Sequence, residues 1–308
     1  MPTRAVLLDR HAVAIERIEQ AQARVVAEAY RKARQEILDQ LISQWRGSEL
    51  MTPEDAARLL RQSGLLQQID ARLLQLEREL GVNLRGIVNS STELALEQVR
   101  QELSLLPPSL RPENVLQFGT INHTMIERFV PVAFNDVQLG TRSLSLSLQR
   151  ELQTGLLQGE SFPVLVGRLM KATPSDVASP WRRGELSAEL ATRRLVITAE
   201  NGAKQAAIAE VVQDIPEVQK QVVAVIGPNT TDCCLRAHGQ IQPVDQPFTL
   251  TGTPRFADEM MYCPFHWNCR SSIAMWHPIF ERSGITTPNM RKSADAQLAK
   301  GAKGKGGG

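Results

Sequence analysis

Apolar residues three and four apart dominate the first hundred positions of the chain. Val26, Tyr30, Ala33, Ile37 and Leu41 form one stripe with polar residues between them, which predicts a single long helix ending near Gly47. The next helix announces itself at Thr52, a capping residue, with Pro53 in the first helical position and Glu54 and Asp55 in the first turn; Gly64 breaks it. A second stripe, Leu66, Ile69, Leu73, Leu76 and Leu80, is followed by a further helix over Thr92 to Leu105, which Pro107 and Pro108 end. Such stripes are read as burying one another in a helical bundle, the alternative being that part of this surface docks on a partner.

Between Pro107 and Ser147 the signals weaken, because short helical spacing is mixed with Gly, Asn and Pro and with an alternating Ser-Leu-Ser-Leu-Ser run, and no element is assigned. Helical spacing returns from Leu148, a short helix is expected over Phe162 to Met170, and an Ala-rich one over Ser187 to Val212 with Gly202 inside it. After Pro216 the texture becomes β-branched, with two short extended runs and turn signals. The expected fold class is therefore α+β, mainly α: long amino-terminal helices and a small carboxyl-terminal α+β lobe containing a Cys/His cluster. The expected organisation is a helical region over 1–106, a connecting region over 107–144, a third domain over 145–280 and a disordered basic tail over 281–308.

Composition narrows the class. With 42% hydrophobic and 22% charged residues and no apolar run near the ~18 residues that a membrane span requires, the chain is expected to be soluble, without membrane partners. The amino terminus lacks a secretory apolar core, so a cytoplasmic setting is expected. A net charge of +2 gives no overall steering toward nucleic acid, which leaves local patches. In the tail, Lys300, Lys303 and Lys305 are candidates for salt-sensitive, sequence-independent contact with double-stranded DNA, a solvated tail being the alternative.

All four cysteines, Cys233, Cys234, Cys263 and Cys269, fall in one segment near the carboxyl end. A disulfide framework would scatter them; clustered cysteines with histidines nearby point to a metal site or a reduced core cluster. Asp232-Cys233-Cys234-Leu235-Arg236-Ala237-His238-Gly239 is followed by Cys263-Pro264-Phe265-His266-Trp267-Asn268-Cys269-Arg270. Zinc takes thiolate and imidazole ligands in a tetrahedron, and the second segment supplies three of them from one turn. The candidate tetrad for a structural zinc is Cys234, Cys263, His266 and Cys269, with Cys233 or His238 able to replace Cys234. The alternative is a cluster of thiols packed as small hydrophobes around a hydrogen-bonded His266.

These residues resemble the phage head morphogenesis, or minor head, proteins of the Mu F-like group over roughly residues 145–276. That family carries an A-R-T-E-like helical motif, then D-x-T-C-x-x-C-x-x-x-x-G, then a closing P-x-H-x-x-C-R-C. Here Ile197-Thr198-Ala199-Glu200 stands at the first, keeping the Glu and replacing Arg with Thr198. Cys234 and Gly239 match the middle element, with Thr231 at its first Cys position. Pro264, His266, Cys269 and Arg270 match the closing element, with Ser271 at its last Cys. The resemblance implies a structural, non-enzymatic protein of the virion, at the portal vertex or in the head interior, assembled in the host cytoplasm. It also implies the portal protein and the major capsid or scaffolding protein as partners, and a part in head assembly and DNA packaging or ejection.

The enzymatic alternatives are fewer. A zinc deaminase needs H-x-E with P-C-x-x-C, which the chain lacks. A thiol nucleophile could be drawn from Cys233 or Cys234 with His238. The stronger rival is a metal-dependent phage nuclease using the Cys/His knuckle, with His266 and Asn268 in it. His277 is expected to be packed or on the surface, and Glu200 is a candidate partner for Arg270.

Overall fold

The structure, a computed structural model, describes residues 3–45, 64–111, 118–172, 179–282 and 287–300, together with positions 52, 55 and 58. It is mainly α with a small β region near the carboxyl end. Among the described residues the helices are α1 (Arg4–Trp45), α2 (Leu65–Leu103), α3 (Phe118–Leu157), α4 (Phe162–Ala172), α5 (Pro180–Asp214), α6 (Asp232–Ala237) and α7 (Thr287–Ala299). The strands are β1 (Gln219–Val223), β2 (Ile241–Gln242), β3 (Phe248–Thr249), β4 (Glu259–Met260) and β5 (Ser272–Trp276). No described helix is long and apolar enough to cross a membrane.

Several helices run further than local signals indicate. The expected break before Thr92 is absent, because α2 continues through buried Ser91, Thr92, Ala95, Leu96 and Val99. The unassigned stretch before Ser147 belongs to α3, which passes through Pro131 and buries Ile121, Met125, Ala133, Val137, Thr141, Leu144 and Leu148 at helical spacing. The break at Gly64 is present: its φ is +63°, a left-handed value that glycine adopts without a Cβ penalty, and α2 starts at the next residue. Thr52 Oγ1 accepts the Asp55 N–H at 3.2 Å, the bond of an N-cap; Gly47, Pro53 and Glu54 lie outside the described residues.

The chain divides into two compact units that are not consecutive blocks: residues 1–20, 86–130 and 194–308 form one, and residues 21–85 and 131–193 the other. The expected domain borders differ because each crossing falls inside a helix, where composition does not change. In the second unit both predicted stripes are core. Tyr30, Ile37, Leu41, Ile69, Leu76 and Leu80 are buried, with Leu65 more deeply placed than Leu66. The Tyr30 ring meets Trp181 edge-on at 5.9 Å. Asp70 adds a polar tie, accepting hydrogen bonds from Ser145 Oγ at 2.5 Å and Gln149 Nε2 at 2.9 Å.

The first unit holds the β region. β1 lies between β2 and β5, both antiparallel to it, with Gln221 opposite Ala274 and Val222 opposite Ile273. β5 is therefore an edge strand, and its outward backbone groups meet buried side chains. Ile273 N–H donates to Asn201 Oδ1 at 2.7 Å, Met275 N–H to Glu102 Oε2 at 2.5 Å, and Arg4 Nη2 donates to the Met275 carbonyl at 3.0 Å. The edge is closed by helices α5, α2 and α1, which explains polar residues that are otherwise costly to bury.

Residues 287–299 correct the expectation of a disordered tail from 281. They form α7, with Met290 and Ala294 buried. Arg291 Nη1 donates to the carbonyls of Leu235, Arg236 and His238, each at 2.9 Å, and so caps the carboxyl end of α6. Lys300 is described and exposed, whereas Lys303 and Lys305 lie outside the described residues.

Candidate metal centre

One short helix and one tight turn build the site. Thr231 precedes α6 in an extended conformation, φ −71° and ψ 154°, and the helix turns both Cys233 and Cys234 inward. The second segment folds back so that the Cys269 N–H donates to the His266 carbonyl at 3.2 Å, closing the turn that presents His266 and Cys269 together. Phe248 and Phe265, fully buried and edge-on at 6.4 Å, belong to the same lobe. The loop before the second segment is tight as well. Gly252 has φ +83°, and a Cβ there would stand 1.8 Å from Asp232 Oδ2 and 2.8 Å from Asp232 Cγ. Gly252→Ala is therefore expected to destabilise the lobe by ~1–3 kcal/mol in urea unfolding. An unchanged midpoint would show that Asp232 and the loop yield freely.

The four cysteines are free and buried. Cys234 Sγ lies 3.2 Å from His266 Nε2 and 3.7 Å from Cys269 Sγ. Thr231 Oγ1 is 2.9 Å from His266 Nε2 and 3.6 Å from Cys233 Sγ. Ligand atoms of Cys233, Cys234 and His266 all lie within 4.8 Å of one another, so these three could hold a metal ion. Of the expected tetrad, Cys234 meets both His266 and Cys269 directly, while Cys263 is buried and interacts electrostatically with Cys269.

The two named substitutes part company. Cys233 stands in the cluster, while His238 is committed elsewhere: its Nδ1 accepts the Ala224 N–H at 2.8 Å. A thiol paired with His238 as a base therefore has no support in the geometry. The described residues within 4.8 Å of one another do not include it.

Electrostatics single out Cys269. Burial opposes its ionisation, but hydrogen bonds from Cys234, Cys263 and His266 outweigh burial and hold its thiol well below the ordinary range. Cys234 is pushed well above it, first by its hydrogen bond with Cys233 and then by Cys269 and burial. Burial, then Cys269, pushes Cys263 up. Cys233 is lowered to about 7, chiefly through Cys234. For His266, burial disfavours the cation, yet the hydrogen bond with Cys269 prevails and the pKa is raised. Cys269 is thus the thiol of the cluster whose ionisation its neighbours favour most, as a ligand to a soft cation requires.

Size fits as well. A zinc tetrahedron with sulfur at ~2.3 Å and nitrogen at ~2.0–2.1 Å places two sulfurs ~3.8 Å apart and a sulfur and a nitrogen ~3.5 Å apart. The observed 3.7 Å matches the first edge and 3.2 Å is slightly inside the second.

Arg270 and Glu200 do not pair. Arg270 is exposed and, among the described residues, pairs with Glu16 Oε1 at 3.9 Å, whereas fully buried Glu200 faces Lys204 Nζ at 2.7 Å and accepts from Ser272 Oγ at 3.1 Å. Lys204 Nζ is also 3.0 Å from Ser272 Oγ, a spacing that suggests a serine–lysine nucleophile. Its ion pair with Glu200 argues for a structural clamp instead, since the ammonium is held by a carboxylate. His277 is packed as expected, edge-on to Phe280 at 6.2 Å. Glu102, Asn201 and Arg4 escaped the sequence reading. Each is a polar residue on a helix whose burial depends on a strand distant in the chain, and no local pattern marks them.

No family model, no curated protein and no solved structure matches the chain.

Proposed function

We propose that this chain is a structural minor head protein of a phage, associated with the portal inside the procapsid and acting in head assembly and in DNA packaging or ejection. Its carboxyl-terminal lobe is closed by a structural zinc. The observation that supports the reading is convergence: the three sequence elements behind the family resemblance meet in one compact unit. Glu200 of α5 bonds Ser272, two residues beyond Arg270, and Cys234 of α6 touches both His266 and Cys269. Thr231, at the position where the family pattern has a cysteine, still aims its oxygen into the cluster.

Cys234, Cys269 and His266 would hold the zinc with Cys263 or Cys233, and the metal would tie α6 to the closing turn. In this reading the portal protein and the major capsid or scaffolding protein are the partners, the virion is the location, and no chemistry is required of the site. Double-stranded DNA contact through Lys300, Lys303 and Lys305 belongs to the same proposal.

Elemental analysis of the purified chain is expected to find about one zinc per molecule, lost in Cys269→Ser. Quantitative mass spectrometry of virions from the encoding phage is expected to find the chain in few copies, co-purifying with the portal. Its absence from DNA-filled particles would remove the virion reading whatever the zinc result. Metal-dependent DNA cleavage abolished by His266→Ala would put the nuclease in its place.

A further inference from the structure

A second feature of the same lobe has a different use. Beside the cluster opens a cavity of about 690 Å³, within the roughly 300–1,000 Å³ typical of small-molecule sites. Asn229, Thr231, His266, Trp267, Asn268 and Arg270 are among its lining residues. Its described lining includes one guanidinium, that of Arg270, and no carboxylate. Arg270 is 60% exposed, and among the described residues the carboxylate that pairs with it, Glu16, is loosely placed at 3.9 Å. An anion can displace such a pair at little cost.

At the rim stands Trp267, 65% exposed although it sits between buried His266 and Cys269 in the tight turn. Its ring is held rather than loose. The Arg194 guanidinium lies over it at 4.2 Å from the ring centroid, and Phe256 meets it edge-on at 5.2 Å. With the Arg194 guanidinium and the Phe256 ring both against it, Trp267 still keeps most of its surface open. A held but exposed indole in the lining, beside side-chain amides and a guanidinium, offers stacking, edge hydrogen bonds and phosphate pairing within one small volume.

We infer that this cavity binds a nucleotide, its base stacked on Trp267, its polar edge toward Asn268 or Asn229 and its phosphate toward Arg270. The nucleotide can be free or an unpaired unit of a single strand. A duplex does not qualify, because its bases are already stacked on one another and their faces are closed to the indole. The inference rests on the cavity and not on the virion assignment, and it is separate from the lysines of the carboxyl-terminal segment.

The test uses the full chain with Lys300, Lys303 and Lys305 changed to Gln and its metal content measured, and a fluorescein-labelled oligothymidylate of twelve units as probe. Thymidine monophosphate and a twelve-base-pair duplex serve as competitors, with anisotropy as the readout. Binding is expected to weaken roughly tenfold in Trp267→Ala, to be largely restored in Trp267→Phe, and to lose about one unit of salt slope in Arg270→Gln. Competition by the monophosphate at concentrations near those of the strand would identify the free nucleotide as the ligand. Competition by unlabelled strand alone would identify single-stranded nucleic acid, and either supports the site. Wild-type affinity in a folded Trp267→Ala protein, no binding of the labelled strand, or a duplex that competes as well as the strand overturns it. Trp267 is exposed, and an unchanged thermal midpoint and zinc content in its variants separate lost stacking from lost folding.

Discussion

Lys204→Ala is expected to destabilise the carboxyl-terminal lobe by ~3–5 kcal/mol, because it strands the fully buried Glu200 carboxylate without a counter-charge. The alanine also removes the bond from Lys204 Nζ to Ser272 Oγ and one of the cations that help hold the buried Glu102 carboxyl below its usual range. Burial works against Glu102, and the bond with His11, then Lys204, His11 and Arg4, overcome it. One substitution therefore loosens two of the contacts that close β5. The double variant Glu200→Leu with Lys204→Leu is expected to recover much of the loss, since a buried pair replaced by apolar side chains of similar volume costs far less than a broken pair. Urea unfolding followed through tryptophan fluorescence, to which Trp267 and Trp276 of the lobe contribute, reads the loss. A single variant losing less than ~1 kcal/mol would mean that Glu200 is protonated or solvated once its partner is gone, and the clamp would lose its importance.

The same residues show how far the sequence could be read. Stripes such as Tyr30 to Leu41 and Ile69 to Leu80 were legible because their burial follows from helical spacing alone. The Ser-Leu-Ser-Leu-Ser run misled for a physical reason. In α3 Leu144 and Leu148 face inward while Leu146 is 56% exposed, so an alternating pattern sits on a helix whose middle leucine contributes nothing to the core. Pro131 likewise signals a helix end, yet the helix continues through it. Residues 287–299 read as a solvated tail because only Met290 and Ala294 are buried; the binding contact is Arg291 on the end of α6, a tertiary bond with no local signature.

The Cys/His cluster was legible as a cluster. Four cysteines confined to one segment, with none elsewhere in the chain, favour a shared site over scattered core packing, and three of the expected tetrad meet directly. Ligand choice was less legible. Adjacent Cys233 and Cys234 both turn inward because α6 is a short helix packed against the closing turn, and Thr231 adds an oxygen that no cysteine count predicts. The pairing of Arg270 with Glu200 failed since Lys204 lies one helical turn from Glu200 and reaches it first. An exposed Trp267 between two buried cluster residues was visible as a letter in the sequence, but its exposure was not.

His238 gives the lobe an acid limit independent of any metal. Burial, and then the nearby Arg291 guanidinium, lower its pKa from 6.5 to about 4, and its Nδ1 must stay unprotonated to accept the Ala224 N–H. In the unfolded chain the ring takes up its proton near 6.5, so between pH 6.5 and about 4 the unfolded state binds the additional proton. Stability contributed by this group is thus fully present above pH 6.5, is lost progressively as the pH falls toward 4, and changes no further below that value. The interval corresponds to ~3 kcal/mol. His238→Asn keeps an acceptor near Nδ1 without the titration, and its unfolding free energy is expected to be lower than that of the wild type at about pH 7. Over roughly pH 6.5 to 4.5 the wild type should lose stability more steeply than the variant, the two curves drawing together. Parallel curves over that interval would mean that the ring finds water or a new acceptor when protonated, and that another group sets the acid limit.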